Sequence, residues 1–183
     1  MRTASPYGDV LAFYERTQDT GTDLYTLAPD QDRVPRELLV TPANEHSPMF
    51  SPDGRWLAYV SDETGQEEVY VRPYPGPGRT ETVSTEGGRG ATWSQDGRKL
   101  YYRSGNRMMS VSFRGDSTIE IGDPQVLFVA SDVSEPGGGI SYSTIGNNDS
   151  FLMIRENANV AANEIRVVFH WFDELERLVP TGR

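Results

Sequence analysis

The chain has 183 residues, with 27 Asp or Glu against 17 Lys or Arg and a formal charge of −10. That balance excludes docking along a phosphate backbone or an anionic lipid surface, since both need clustered cations. Without cysteine there is no disulfide framework and no thiolate metal site, and no apolar run approaches the roughly 18 residues of a membrane-spanning helix.

In chain order, the first candidate turn is Ser5-Pro6-Tyr7-Gly8, followed by the apolar run 10–14. Residues 1–7 lack the apolar centre of a signal peptide, so the protein is expected either not to be secreted or to begin after its targeting segment. The same pattern returns as Ser51-Pro52-Asp53-Gly54-Arg55 followed by Trp56-Leu57-Ala58-Tyr59-Val60. It returns 43 residues later as Ser94-Gln95-Asp96-Gly97-Arg98 followed by Lys99-Leu100-Tyr101-Tyr102. A degenerate fourth copy has the turn Asn147-Asn148-Asp149 before Ser150-Phe151-Leu152-Met153-Ile154. Proline presets φ, Asp tolerates the bridge region, and Gly supplies the left-handed residue that closes a hairpin.

Each turn therefore predicts a strand on either side. The leading strands are 48–50, 91–93 and 141–143. Second strands lie at 24–27, 69–71, 108–111 and 165–168, and third strands at 37–40, 81–84 and 125–129. A four-stranded antiparallel unit every 40 to 50 residues is the pattern of a propeller blade. Blades are expected at 1–41, 42–85, 86–130 and 131–183. Residues 171–178, with Trp171, Phe172, Leu175 and Leu178 on one helical face, predict a short helix or a last strand.

The segment Ser51-Pro52-Asp53-Gly54-Arg55-Trp56-Leu57-Ala58-Tyr59-Val60-Ser61 resembles the WD40-like repeat of TolB-type β-propellers. The segment 68–78 and the tail 170–180 resemble the propeller found downstream of bacterial serine/threonine kinase domains. The resemblance implies an all-β protein of stacked blades and a binding role. Such propellers usually carry six or more blades, whereas about four are legible here. Three arrangements are open: a closed four-bladed ring, an arc of a larger propeller, or two chains joined as an eight-bladed homodimeric ring. The last is preferred. The fourth blade lacks a clear last strand, and residues 2–6, from the same chain or a partner, are expected to complete it.

In a propeller, the loops leading into the innermost strands line the axial mouth. Here they hold Glu45, His46, Arg89, Glu135 and Tyr142, the candidate ligand-binding residues. Arg89 is the cation of these loops and is expected beside Glu45, Glu86 and Glu135; Tyr142 could stack a ligand ring. His46 is read either as a base or as a loop histidine bonded to its neighbours, and His170 as structural. The glycine runs 87–90 and 137–139 join no strand to a helix and read as flexible leads into inner strands. Asp30-Gln31-Asp32 opens like a calcium loop but lacks the later Gly and Glu. The Asn148-Asp149-Ser150 sequon reads as a plain turn.

No nucleophile elbow, phosphate loop or dinucleotide fingerprint occurs. The expectation is a non-catalytic module that binds a protein or peptide on its axial face, with no cofactor, metal, nucleic acid or membrane insertion. The alternatives are a sensor of a sugar or cell-wall fragment, and a lyase or glycosidase using Glu45 and Glu135 as a carboxylate pair.

Overall fold

The computed structural model describes residues 2–115, 119–130, 140–145 and 150–154. The turn at 147–149, the strand expected at 165–168, the helix or strand at 171–178, the glycines 137–139, Glu135 and His170 lie outside them.

The described residues form antiparallel sheets and no helix. The first sheet takes β1 (Arg2–Ala4), β2 (Leu11–Arg16), β3 (Thr22–Leu27) and β4 (Arg36–Leu39) in chain order. The second takes β5 (Glu45–Phe50), β6 (Trp56–Ser61), β7 (Glu68–Pro73) and β8 (Glu81–Thr82), again in chain order. The third contains β9 (Arg89–Trp93), β10 (Lys99–Ser104) and β11 (Arg107–Gly115). β11 is long enough to take two outer partners: β12 (Ile119–Ile121) pairs with its far end and β13 (Gln125–Val129) with its near end. β14 (Tyr142–Ile145) and β15 (Ser150–Met153) form a two-stranded sheet. In-order meanders of this kind, repeated along a chain, are propeller blades.

The expectation that residues 2–6 complete the fourth blade is corrected. β1 pairs with β2, with Arg2 opposite Phe13 and Ala4 opposite Leu11, and is the innermost strand of the first blade. The preference follows from the turn itself: Ser5 and Val10 are already joined by a backbone hydrogen bond of 2.8 Å, so the strands on either side must pair with each other.

The turns explain why the repeat recurs. In each of three blades the serine hydroxyl donates to the aspartate carboxylate: Ser5 to Asp9 at 2.5 Å, Ser51 to Asp53 at 2.6 Å and Ser94 to Asp96 at 2.7 Å. Each turn glycine donates its N–H to the serine carbonyl at 2.9 Å, from Gly8, Gly54 and Gly97. These three glycines have φ of 72°, 69° and 69°, the left-handed region that closes the loop.

Stacking buries the sheets' faces. Ala12 and Leu24 of the first blade meet Phe50, Leu57, Tyr59 and Tyr70 of the second. The second and third blades share the largest core, where Trp56 and Trp93 both meet the Phe113 ring edge-on, at 5.5 and 4.8 Å between centroids. The Trp93 indole N–H donates to the Met49 carbonyl at 3.1 Å and ties the inner strands of two blades together. Tyr101 and Met108 of the third blade meet Tyr142, Phe151 and Met153. All six residues of β6 are buried, because it is covered on both sides.

A candidate binding cleft at the axial mouth

The inner strands β5 and β9 each carry a kink at the same repeat position. Ser47 has φ 53° and Gly90 has φ 60°, and both lie where the pairing register slips, between His46 and Met49 and opposite the slip between Tyr101 and Arg103. A bulge re-aims the side chains beside it. Here the residues before the kinks, His46 and Arg89, both reach one cleft. Ser47 holds a left-handed conformation without the freedom of glycine; its buried hydroxyl meets His46 Nδ1 at 3.0 Å.

The cleft has a volume of about 260 Å³ and draws from three blades and β14. His46 Nε2 lies 3.2 Å from Glu67 Oε1, and Arg89 forms an ion pair with the other oxygen of Glu67. Tyr14 of the first blade meets the His46 imidazole edge-on, with centroids 6.2 Å apart. Buried Arg103 lines the wall and donates to the Gly105 carbonyl at 2.9 Å. Ile140 and Tyr142 supply the apolar side. The Tyr142 hydroxyl donates to the Gly90 carbonyl at 2.7 Å, and burial pushes its phenol well above the ordinary tyrosine value. Its polar end is thus spent on holding β14 to β9, leaving its ring as cleft wall.

Of the five candidates, His46, Arg89 and Tyr142 line this cleft; Glu45 does not, and Glu135 lies outside the described residues. Glu45 is 1% exposed and accepts hydrogen bonds from Thr41 at 2.5 Å and Ser61 at 3.3 Å. Burial pushes its carboxyl above the ordinary glutamate value, against the pull of those two hydroxyls. Arg89 pairs with Glu67; of the acids expected beside it, Glu86 meets Arg107 at 3.4 Å, and Glu135 lies outside the described residues. Alternation along a strand explains Glu45: adjacent residues point to opposite sides, so when His46 faces the cleft Glu45 faces the sheet.

Glu67 and Arg103 escaped the sequence reading because they sit at the β6–β7 turn and at the end of β10, outside the loops that lead into inner strands. The signal for Glu67 was its place beside Glu68, since a strand end carrying two adjacent acids must turn one inward. Glu68 is the inward one. It is 2% exposed and accepts from Ser84, from Gln66 at 2.5 Å and from the Gly87 N–H at 3.0 Å.

Another cavity, of about 950 Å³, lies at the opposite ends of the inner strands, among the repeat turns. Two ion pairs lie within it, Arg55 to Asp53 at 2.7 Å and Arg114 to Glu120 at 3.2 Å. Among the described residues no cluster of His, Asp and Glu is arranged to hold a metal ion, and no helix is long and apolar enough to cross a membrane.

Successive four-stranded meanders stacked face to face, with a cleft where their inner strands begin, define an arc of a β-propeller. More particularly, the fold is similar to that of TolB propellers. A stretch of 79 residues is 36% identical to the Tol-Pal system protein TolB of Thioalkalivibrio sulfidiphilus, covering 42% of this chain and 18% of that protein. The TolB structure from Acinetobacter baumannii matches with a TM-score of 0.54 at 18% identity, over 75% of this chain and 35% of that one. A TolB structure from Agrobacterium tumefaciens matches with a TM-score of 0.53 at 22% identity, over 68% of this chain and 47% of that one. The chain thus spans less than half the length of each of these relatives. No protein-family model matches it.

Proposed function

We propose that the chain is a non-catalytic binding module whose cleft at the axial mouth receives a short segment of a protein partner. The observation that carries this is convergence: Tyr14, His46 with Glu67, Arg89 with Arg103, and Tyr142 come from separate sheets and line one cleft. A cavity of about 260 Å³ falls below the roughly 300–1,000 Å³ of sites that engulf a small molecule. It suits one side chain or chain end of a larger partner. The lyase or glycosidase reading loses support, because Glu45 is turned into its sheet.

Polar groups of both signs with aromatic walls favour a peptide that offers its backbone and one polar side chain. A homodimer that completes a ring also belongs among the proposals. The peptide reading is tested by selecting short peptides against the immobilised protein from a displayed random library. A selected peptide is then titrated calorimetrically against the wild type, Arg89→Glu and Arg98→Glu. Arg98 lies at the opposite end of the inner strands. At least a tenfold loss of affinity in Arg89→Glu alone is expected. Binding indifferent to Arg89→Glu overturns the assignment of this cleft.

A further inference from the structure

The two junctions between the first three blades fill the same space with different residues. Asp23 on β3 and Glu68 on β7 hold one shared position, just ahead of Tyr25 and Tyr70, which pair with Phe13 and Tyr59. Glu45 and Gly88 hold another, immediately before His46 and Arg89, and Thr41 and Ser84 precede them at equal spacing. Between the second and third blades a single carboxylate occupies the space. Glu68 accepts from the Ser84 hydroxyl, from the Gln66 amide and from the Gly87 N–H. No side chain fits beside it, because a Cβ at Gly88 would run into Ser84 Oγ.

Between the first and second blades the space holds two carboxylates. Asp23 is one methylene shorter than Glu68, and Glu45 stands where the glycine was. They are 0% and 1% exposed. Thr22 N–H donates to Asn44 Oδ1 at 3.3 Å, which ties the residues next to each acid together across the junction. Hydroxyls alone serve the pair: Thr20 at 2.5 Å and Thr17 at 3.0 Å to Asp23, and Thr41 at 2.5 Å and Ser61 at 3.3 Å to Glu45. Asp23 Oδ1 and Glu45 Oε2 receive no hydrogen bond. Among the described residues neither acid forms an ion pair.

Burial first, and then the charges of Asp23 and Asp62, oppose ionisation of Glu45. Asp62, just past β6, is held below the ordinary aspartate value by the Asn44 backbone and side-chain N–H groups, both at 2.7 Å. Glu15, across from Asp23 on β2, is exposed, and the Tyr59 phenol is pushed up to about 12. His46 turns away to Glu67.

We propose that Asp23 and Glu45 form a pH-sensitive latch between the first two blades, closed while Glu45 holds a proton and loosened when both acids are charged. Opening admits water to both carboxylates and relieves their repulsion. The sign follows from Glu45: closure is fully favoured below its ordinary value of 4.5 and is lost as pH rises through the raised value. The first blade lends Tyr14 and Thr22 to the cleft, so loosening withdraws that wall. The latch itself does not depend on what the cleft binds.

The test is native-state hydrogen exchange at pH 5 and pH 8, with labelling times scaled to the intrinsic rate, comparing β3 with β10. In the wild type, protection of β3 is expected to be several-fold higher at pH 5, with β10 unchanged. Glu45→Gln and Asp23→Asn are each expected to hold β3 at its higher protection at both pH values. Circular dichroism shows whether each variant is folded, and Glu45→Gln decides alone if Asp23→Asn is not. Equal protection of β3 at the two pH values in the wild type overturns the proposal. So does an equal response in β10, because the whole fold then titrates. A response that survives Glu45→Gln and disappears in His46→Asn overturns it as well, because the histidine then carries it.

Discussion

Gly97 sits against the ring of Pro52: a Cβ at Gly97 would lie 3.4 Å from Pro52 Cδ. One blade earlier, Gly54 stands in the same relation to Pro6, again at 3.4 Å. The turns of successive blades are therefore nested, each glycine against the proline of the turn before it. This gives the Ser-Pro-x-Gly spelling a second purpose. Proline shapes its own turn and also forms the floor for the next.

Replacing Gly97 or Gly54 with Ala is expected to destabilise the protein by about 1–2 kcal/mol, because an L side chain is strained at positive φ. The distance of 3.4 Å is ordinary van der Waals contact, so the φ of 69° carries the cost. Gly8→Ala, with φ 72° and nothing within 4 Å of its Cβ, is expected to cost as much. Urea melts of the three variants check this. A Gly8→Ala protein as stable as the wild type would show that nesting, rather than backbone conformation, sets the penalty.

Glu45 offers a signed pH effect. Its folded-state carboxyl titrates above the ordinary value of 4.5, chiefly through burial. Charge at that site opposes folding, fully so above the raised value and not at all below the unfolded one. Glu45→Gln keeps an oxygen for the hydroxyls of Thr41 and Ser61 and removes the charge. It is expected to stabilise the protein by about 1 kcal/mol near neutral pH, a rough figure for relieving one buried polar mismatch. The gain should fade as pH falls towards 4.5. Denaturation at several pH values measures it, and a gain independent of pH would contradict the account.

The buried tyrosines predict the alkaline limit. Burial pushes the phenols of Tyr59, Tyr70 and Tyr102 up to about 12, and that of Tyr142 also rises. In the unfolded chain these groups ionise near 10. Their contribution to stability is therefore intact below about pH 10 and declines as pH rises from there towards 12. An ultraviolet titration of the native protein should leave at least four of the nine tyrosines un-ionised at about pH 11, where free phenols are largely charged. All nine ionising together near 10 while the fold persists would contradict the burial.

The blade pattern was legible because its signals are local. A Ser-x-Asp-Gly turn and the strands beside it lie within about a dozen residues, and the runs at 24–27, 69–71 and 125–129 fall inside β3, β7 and β13. β12 was not legible. Its three residues owe their strand to the extra length of β11, which presents a second free edge. The cleft was half legible. His46, Arg89 and Tyr142 follow from propeller geometry, since they sit where inner strands begin. The choice of Glu67 over Glu45 as Arg89's partner depends on the bulges at Ser47 and Gly90, and no local pattern announces where a left-handed serine will fall. The assignment of residues 2–6 failed because repeat counting was set against pairing across a six-residue turn, and the nearer partner wins when both strands are present.

Sheets that lean on one another in single file do not share their load evenly. The second, sheltered by a neighbour on each side, has the most to lose from solvent and the least access to it. Heating or denaturant should peel the row from its outermost members inward, and the amide protons of β6 and β7 should be the slowest to exchange. The centre of the molecule is in that sense the keystone, and whatever caps the two ends governs how soon the peeling begins.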